Sequence, residues 1–539
     1  MTHDGTMRRW NGWGDEADET RLGAAALAFL EERLGAGVPG ADARLEDVVA
    51  AVAPSRLPAD ALLSADPELR VRRARGQSFP DLIATRSGRL GAVPDAVARP
   101  SDGAAVRAIL DLARSAGARI VPWGGGTSVV GGASVRPGPD PVITVDLAGL
   151  AGVRTLDEKS GLVTVGAGTT GPELASFLTP IGLDVGHEPQ SWELATVGGW
   201  IAARGSGLRS IGVGRIEQLF AGGTLESPAG TLEMPAFPAS AAGPDLRQLV
   251  LGSEGRLGIL TDVVLRATPK GGVDRLDAWA IPDWADAHEA VRSIARTRSG
   301  LSVLRVSTPA ETRTLLAYAG PSRGMAAVES WLRVRRVRGD WSLLLLGTSG
   351  PRRVAVAARA GAASILRRHG GVPVPGIAST WLRTRFRSPY LRNAMWTAGY
   401  GADTLETATV WSRVPGLLAR LEASIADALA DRGERVHVMT HLSHAYPSGS
   451  SLYLTFLFRL GADPDETLDR WRSIKRAASE TIVAEGATIS HHHGVGTDHV
   501  PYLAAEKGPL GMAAIEAVVR TFDPEGTMNP GVLLPDRLP

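Results

Sequence analysis

The chain of 539 residues contains no cysteine, which removes disulfides, thiolate nucleophiles, Cys-ligated zinc and iron–sulfur clusters together. Lysine is almost missing as well: among 58 basic residues only Lys159, Lys270, Lys475 and Lys507 are not arginine. With the abundance of Ala and Gly, that bias points to a GC-rich genome rather than to a function. Charge of one sign is also lacking, since 58 basic and 57 acidic side chains leave a net +1. No long-range positive field is available to hold a polyanion, so nucleic acid is excluded as a partner. No stretch approaches the ~18 uninterrupted apolar residues of a membrane span, and Leu343 to Leu346 reads as a buried strand. No apolar h-region follows the basic residues near the N-terminus, so no secretory signal is expected. The sequence from Pro535 to Pro539 is not a peroxisomal address. Fixed-period repeats and low-complexity tracts are absent, and a cytoplasmic location is expected.

With 44% hydrophobic and 21% charged residues, the composition is that of a globular protein, and the length implies more than one domain. Residues 1–90 read as a Trp-bearing opening, helix-forming segments (Leu22 to Gly35, Ala41 to Val52) and an arginine-dense stretch from Pro67 to Leu82. From about Ala92 a strand–helix–strand rhythm begins, with a helix from Asp102 to Gly117 and a strand from Ala118 to Trp123. Short β-branched runs and Gly-rich turns continue to Pro269. Residues 271–430 alternate strands with amphipathic helices, and 431–539 hold most of the histidines. Four units are therefore expected: a helical region (1–90), a nucleotide-type domain (91–270), an α+β domain (271–430) and a C-terminal region completing the site (431–539).

Four glycine loops stand out within 91–270. Pro122 to Val129 follows a strand, and three consecutive glycines let backbone N–H groups converge on an anion. It is no Walker A loop, since no Gly-Lys-Ser/Thr follows. Gly166-Ala-Gly168-Thr-Thr-Gly171 satisfies G-x-G-x-x-G between a strand and a helix. However, the acidic strand end required about 20 residues later is missing, because Glu188 lies in a Pro-flanked turn. With Thr196 to Gly207 and Gly252 to Ile259, these loops can wrap one large extended ligand.

Taken together, PWGGGTSV, EPQSWELATVGGWIAARGSG and GSEGRLGI resemble the FAD-binding domain of the vanillyl-alcohol-oxidase/PCMH flavoprotein family. WNGWG at Trp10, RARGQS at Arg73 and SHHHGVG at Ser490 narrow the resemblance to its alkyldihydroxyacetonephosphate synthases (alkylglycerone-phosphate synthases), over essentially the whole chain. The resemblance implies an α+β fold: a PCMH-type FAD-binding domain of two α/β subdomains, an α+β cap over the flavin, and a helical N-terminal region. It implies that Pro122, Trp123, Gly124, Gly125, Gly126, Thr127 and Ser128 hold the FAD diphosphate. Gln190, Ser191, Thr196, Gly198, Gly199, Ala203 and Ser206 would line flavin and ribityl. Glu254, Gly255, Leu257, Gly258, Ile259 and Leu260 would face the adenosine. The diphosphate loop has no His or Cys, so FAD is expected to be non-covalent.

His491, His492 and His493 follow an apolar run; in a strand, the outer two would share a face. A substrate or flavin wall, a metal site and structural packing all stay open for them, Asp498 being the only acidic residue nearby in sequence. The synthase resemblance supports the wall, with no metal. It also places Tyr453 where related D-2-hydroxyacid dehydrogenases carry an active-site His. A phenol in a basic pocket can have its pKa lowered enough to act as a base. Arg392 and Arg305 match arginines that the family uses at the substrate, where a guanidinium fork binds phosphate or carboxylate bidentately.

The implied activity is exchange of the acyl group of acyl-dihydroxyacetone phosphate for a fatty alcohol, a step in ether-lipid synthesis. FAD-linked oxidation of a 2-hydroxyacid or alcohol is the alternative. Lipid-like substrates, a homodimer and peripheral membrane contact are expected. The segment from Trp331 to Arg338 could make that contact through exposed apolar side chains, or pack into the core.

Overall fold

The structure, a computed structural model, describes residues 7–40 and 42–535. Most of the C-terminal stretch from Pro535 and the first six residues, on which the targeting expectations bear, lie outside them. Asp102 caps the helix Gly103–Ser115 by accepting from the Ala105 N–H, and Val106, Ile109, Leu110 and Ala113 recur at helical spacing and are buried. This helix joins Ala96–Ala98 to Arg119–Trp123, two strands that both run parallel to Val142–Asp146 between them. Leu63–Ser64 adds an antiparallel edge. A second sheet of five antiparallel strands follows in the order Val153–Asp157, Leu162–Gly166, Ile259–Arg266, Phe220–Ser227, Gly230–Met234.

The third layer is a seven-stranded antiparallel sheet. Its order is Val372–Val374, Val273–Ile281, Ser342–Gly350, Leu301–Ser307, His437–Ser443, Gly449–Arg459, Tyr400–Val410. Along Gly449–Arg459 the period-two alternation is strict. Leu452, Leu454, Phe456 and Phe458 enter the largest hydrophobic core with residues of the helices Val414–Ala426 and Pro464–Ala484. Tyr453, Thr455 and Leu457 point the other way, into the main cavity. The expected boundary at residue 430 therefore runs through this sheet, because Gly449–Arg459 is hydrogen-bonded on both sides.

The described residues before 90 carry four helices with a small core of Val48, Val71, Ala74 and Leu90, and they also pack onto the other layers. Phe79 lies 5.4 Å from the Phe458 ring and 6.4 Å from Trp471, while Leu30 and Leu34 pack with Met395, Tyr400 and Leu457. The segment from Trp331 to Arg338 packs in part and leaves Val334 exposed at 77%. Trp331 donates to the Pro373 carbonyl at 3.0 Å under the guanidinium of Arg335, and Leu332 is buried. No helix among the described residues is long and apolar enough to cross a membrane.

Candidate active site

Three of the four glycine loops open on one cavity of about 490 Å³, between the FAD-type sheets and the seven-stranded sheet. Pro122, Gly124 to Ser128, Gln190, Ser191, Thr196, Gly198, Gly199, Ala203 and Ser206 line it, with Glu254, Gly255 and Gly258 to Leu260. Gly125 shows why this loop must be glycine: a Cβ there would stand 2.0 Å from the Leu194 carbonyl oxygen. The fourth loop serves packing. A Cβ at Gly168 would meet the Leu147 oxygen at 1.9 Å, so G-x-G-x-x-G here is a close approach of chain segments and not a nucleotide site.

Two residues expected in the lining fall outside it. Strand alternation turns Trp123 away from the cavity that Pro122 faces, and Leu257 enters the core of the five-stranded sheet. Glu254 lines the cavity, but its carboxylate is taken up by the Val495 and Gly496 N–H groups, the latter at 2.6 Å. Burial pushes this carboxyl up to about 7.

His491 to His493 lie in a bend, not a strand. The cause is Glu406 on Tyr400–Val410, directly opposite Tyr453 in the register. Its buried carboxylate accepts the backbone N–H of His491, His492 and His493 at 2.7, 2.8 and 2.7 Å, and the Ser490 hydroxyl at 3.0 Å. This curl turns His492 and His493 toward the cavity, whereas His491 faces away and pairs with the Tyr446 hydroxyl at 2.7 Å. Burial works to raise Glu406, but the groups around it, His492 foremost, hold the carboxylate well below its ordinary value. Burial keeps His493 neutral, at about 3. Glu406, His492 and His493 hold ligand atoms within 4.8 Å of one another, as do His444, His491 and His492; the Glu406 oxygens take backbone N–H groups, and His491 Nδ1 lies 2.9 Å from His492 Nδ1.

Tyr453 is stacked on His441, with centroids 4.8 Å apart. The expected lowering of its pKa does not occur: burial pushes the phenol up to about 12. His441 itself bonds through Nδ1 to Glu311, at 3.0 Å, a contact with no counterpart in sequence proximity. Arg305 Nη2 also bonds Glu311, at 2.7 Å, so the expected free fork at Arg305 is half occupied. Arg392 is different. Its Nη1 donates to the Gln77 carbonyl at 2.7 Å, while Nε and Nη2 are buried without a partner.

The cavity changes character along the strands. Glu406, Tyr453 and His441 share one row across three strands, followed by Thr404, Thr455 and Met439, then by Ala402 and Leu457. Four residues at ~3.3 Å each separate Tyr453 from Leu457 by about 13 Å. Leu315, Tyr318 and Met395 close over that far end.

The FAD binding domain family model matches residues 94–234, and that of the C-terminal domain of FAD linked oxidases matches 273–533. Among curated proteins, the alkyldihydroxyacetonephosphate synthase of Trypanosoma brucei brucei is 29% identical over 87% of this chain and 78% of its own. That of Dictyostelium discoideum is 28% identical over 88% and 78%. A solved alkyldihydroxyacetonephosphate synthase superposes with a TM-score of 0.83 at 24% identity, covering 98% of this chain and 99% of that one. FAD is the cofactor, and the cavity fits it. Besides the backbone donors of the glycine loop, Ser206 Oγ, Trp200 Nε1 and both ring nitrogens of His187 are buried there without protein partners, as a large polar ligand requires.

Two outcomes follow. Acid precipitation should release the yellow flavin into the supernatant, because the diphosphate loop has no His or Cys; flavin left on the denatured chain would refute this. Glu406→Gln replaces one acceptor oxygen by a donor facing N–H groups, so thermal or urea unfolding should show a loss of about 1–3 kcal/mol. A variant as stable as wild type would mean the loop is held otherwise.

Proposed function

From a chain that belongs to the FAD-linked oxidase family of flavoproteins, we propose an enzyme of the alkyldihydroxyacetonephosphate synthase type, exchanging the acyl group of acyl-dihydroxyacetone phosphate for a fatty alcohol. The observation that carries this is the polarity of the cavity, with a buried guanidinium bearing two free donors beside Tyr453 and an apolar end at Leu457, Leu315 and Met395. A substrate with an anionic head and a long alkyl chain matches both.

FAD, when bound, supplies an electron-accepting ring beside the reacting carbon. Arg392 Nε and Nη2 bind the phosphate in a low-dielectric site, where charge-assisted hydrogen bonds are strongest. Tyr453 Oη takes a proton from the carbon that carries the exchanging oxygen. A phenol of pKa about 12 is a strong base once ionised but rarely ionised at neutral pH, and the positive charge of Arg305 helps to favour its ionised form. The neutral His493 ring and the stacked His441 wall the phenol from water. Both substrates partition into bilayers, so peripheral membrane supply belongs to this reading, as does a homodimer; flotation on vesicles and sedimentation test them.

The second reading, oxidation of a 2-hydroxyacid or alcohol, draws on the Glu311–His441 pair. With Nδ1 bound to Glu311, His441 Nε2 is left as an acceptor for a hydroxyl proton. Supplying the purified yellow protein with acyl-dihydroxyacetone phosphate and a labelled fatty alcohol decides. Incorporation of label without oxygen uptake or dye reduction supports exchange, and reduction of an electron acceptor without incorporation supports oxidation.

Tyr453→Phe should retain FAD and lose about 10²–10⁴-fold in turnover. Below its raised pKa the phenolate fraction grows tenfold per pH unit, so wild-type kcat/KM should climb between pH 7 and 9.5 and the variant should lose that climb. A flat wild-type profile would move the base to an imidazole. Arg392→Lys should raise KM as well as lower kcat, because the charge stays but the fork is lost; an unchanged KM would place the phosphate elsewhere.

A further inference from the structure

Two stretches that the main cavity does not absorb, the opening around Trp10 and the arginine-dense segment after Pro67, meet at a second cavity of about 290 Å³. It lies across the strand Arg119–Trp123 from the first, on the side to which Trp123 turns. Arg8, Arg9, Arg72, Arg73, Arg75 and Arg99 line it together with Asp66 and Glu68, the latter bonded to Arg72 Nε at 2.8 Å. Outside the lining, Glu16 stands 3.5 Å from Arg72 and Asp81 3.7 Å from Arg75. Arg73 and Arg99 share a single buried carboxylate, Asp146, at 2.9 and 3.0 Å, and Asp66 is occupied in capping the Leu69 N–H at 2.7 Å. Arg8 donates to the Gly125 carbonyl, and Arg9 donates to the Asp18 carbonyl and to Asn11 Oδ1. Arg75 Nε is buried without a partner. Burial and the nearby Arg73 push Arg8 down to about 10, as expected where cations outnumber their counter-charges.

We propose that this cavity binds a small anion carrying a phosphomonoester group, at a site separate from that of FAD and substrate. Guanidinium forks match phosphate oxygens bidentately and hold their charge at any physiological pH. The volume sits at the small end of ligand pockets, about 300–1,000 Å³, which suits a short phosphorylated molecule or inorganic phosphate and not a dinucleotide. Arg8 touches both the cavity and the carbonyl of Gly125 in the diphosphate loop, so an anion there is in contact with the flavin side through one side chain. None of this depends on which reaction the main cavity performs.

The test uses the FAD-loaded protein and two soluble probes, inorganic phosphate and glycerol 3-phosphate, followed by isothermal titration calorimetry. Arg99→Gln is the informative variant: its side chain is half exposed, and Arg73 remains on Asp146. Binding should be saturable in wild type, weaken about tenfold or more in Arg99→Gln and in Arg8→Gln, as loss of one charged hydrogen bond predicts, and persist in Arg392→Lys. Flotation with phosphatidylcholine vesicles, with and without phosphatidic acid, separates a lipid headgroup from a soluble source. Phosphatidic-acid-dependent flotation abolished by Arg99→Gln assigns the phosphomonoester to a lipid, and saturable heat from the soluble probes assigns it to a metabolite. Phosphate binding weakened by Arg392→Lys alone, or neither saturable heat nor phosphatidic-acid-dependent flotation, overturns the proposal.

Discussion

A carboxylate buried in a sheet is tolerated only where its lone pairs are filled, and the Glu406 carboxylate is filled by three successive backbone N–H groups of the histidine loop and the Ser490 hydroxyl. The rest of the site inherits its geometry from that requirement. Because Glu406 stands opposite Tyr453, which in turn stands opposite His441, anchoring the loop there brings His492 and His493 within 6.1 and 5.7 Å of the phenol ring. Glu254 repeats the device one turn of chain later, gripping Val495 and Gly496. The two acids tie one loop to both the seven-stranded sheet and the FAD-type layers, so the wall of the cavity is fixed from two sides.

That double anchorage explains why neither layer alone would make a site. The glycine loops supply backbone donors and room for a large cofactor, but few ionisable side chains. The seven-stranded sheet supplies rings and charges on one face, and its other face must stay covered by helices because Leu452, Leu454, Phe456 and Phe458 are apolar. Strand alternation is what allows a single strand to serve core and chemistry at once.

How much was legible in the sequence follows from the range of the interactions. Local signals were readable: the helix Gly103–Ser115 from its apolar spacing and Asp102 cap, the glycine loop at Gly124 from its strand and triplet. Tyr453, Arg392, His492 and His493 were placed by resemblance, and the structure brings them to one cavity. What escaped depends on partners far apart in the chain. Glu406 is 85 residues from His491, and nothing in its β-strand context marks it as the anchor that bends the triplet out of a strand. Glu311 likewise changes Arg305 from a free fork to a half-occupied one. The Tyr453 pKa went the other way from expectation because burial acts on a phenol by disfavouring its charged form. Composition reveals the cations of a pocket but not how dry it is.

That dryness also orders the electrostatics of the site. Burial lowers the pKa of His187, His441, His444, His491 and His493 alike, so these rings present dipoles and not charges. Arg305 is matched by Glu311. At Arg392, Asp403 stands as far as 4.0 Å, and two donors remain free. In a low-dielectric chamber a cation with unfilled donors attracts an anion more strongly than it would in water. Under the proposed function, Arg392 beside Tyr453 would receive the anionic head. The remainder of a long ligand would then extend away from the row of Glu406, Tyr453 and His441 and toward Leu457.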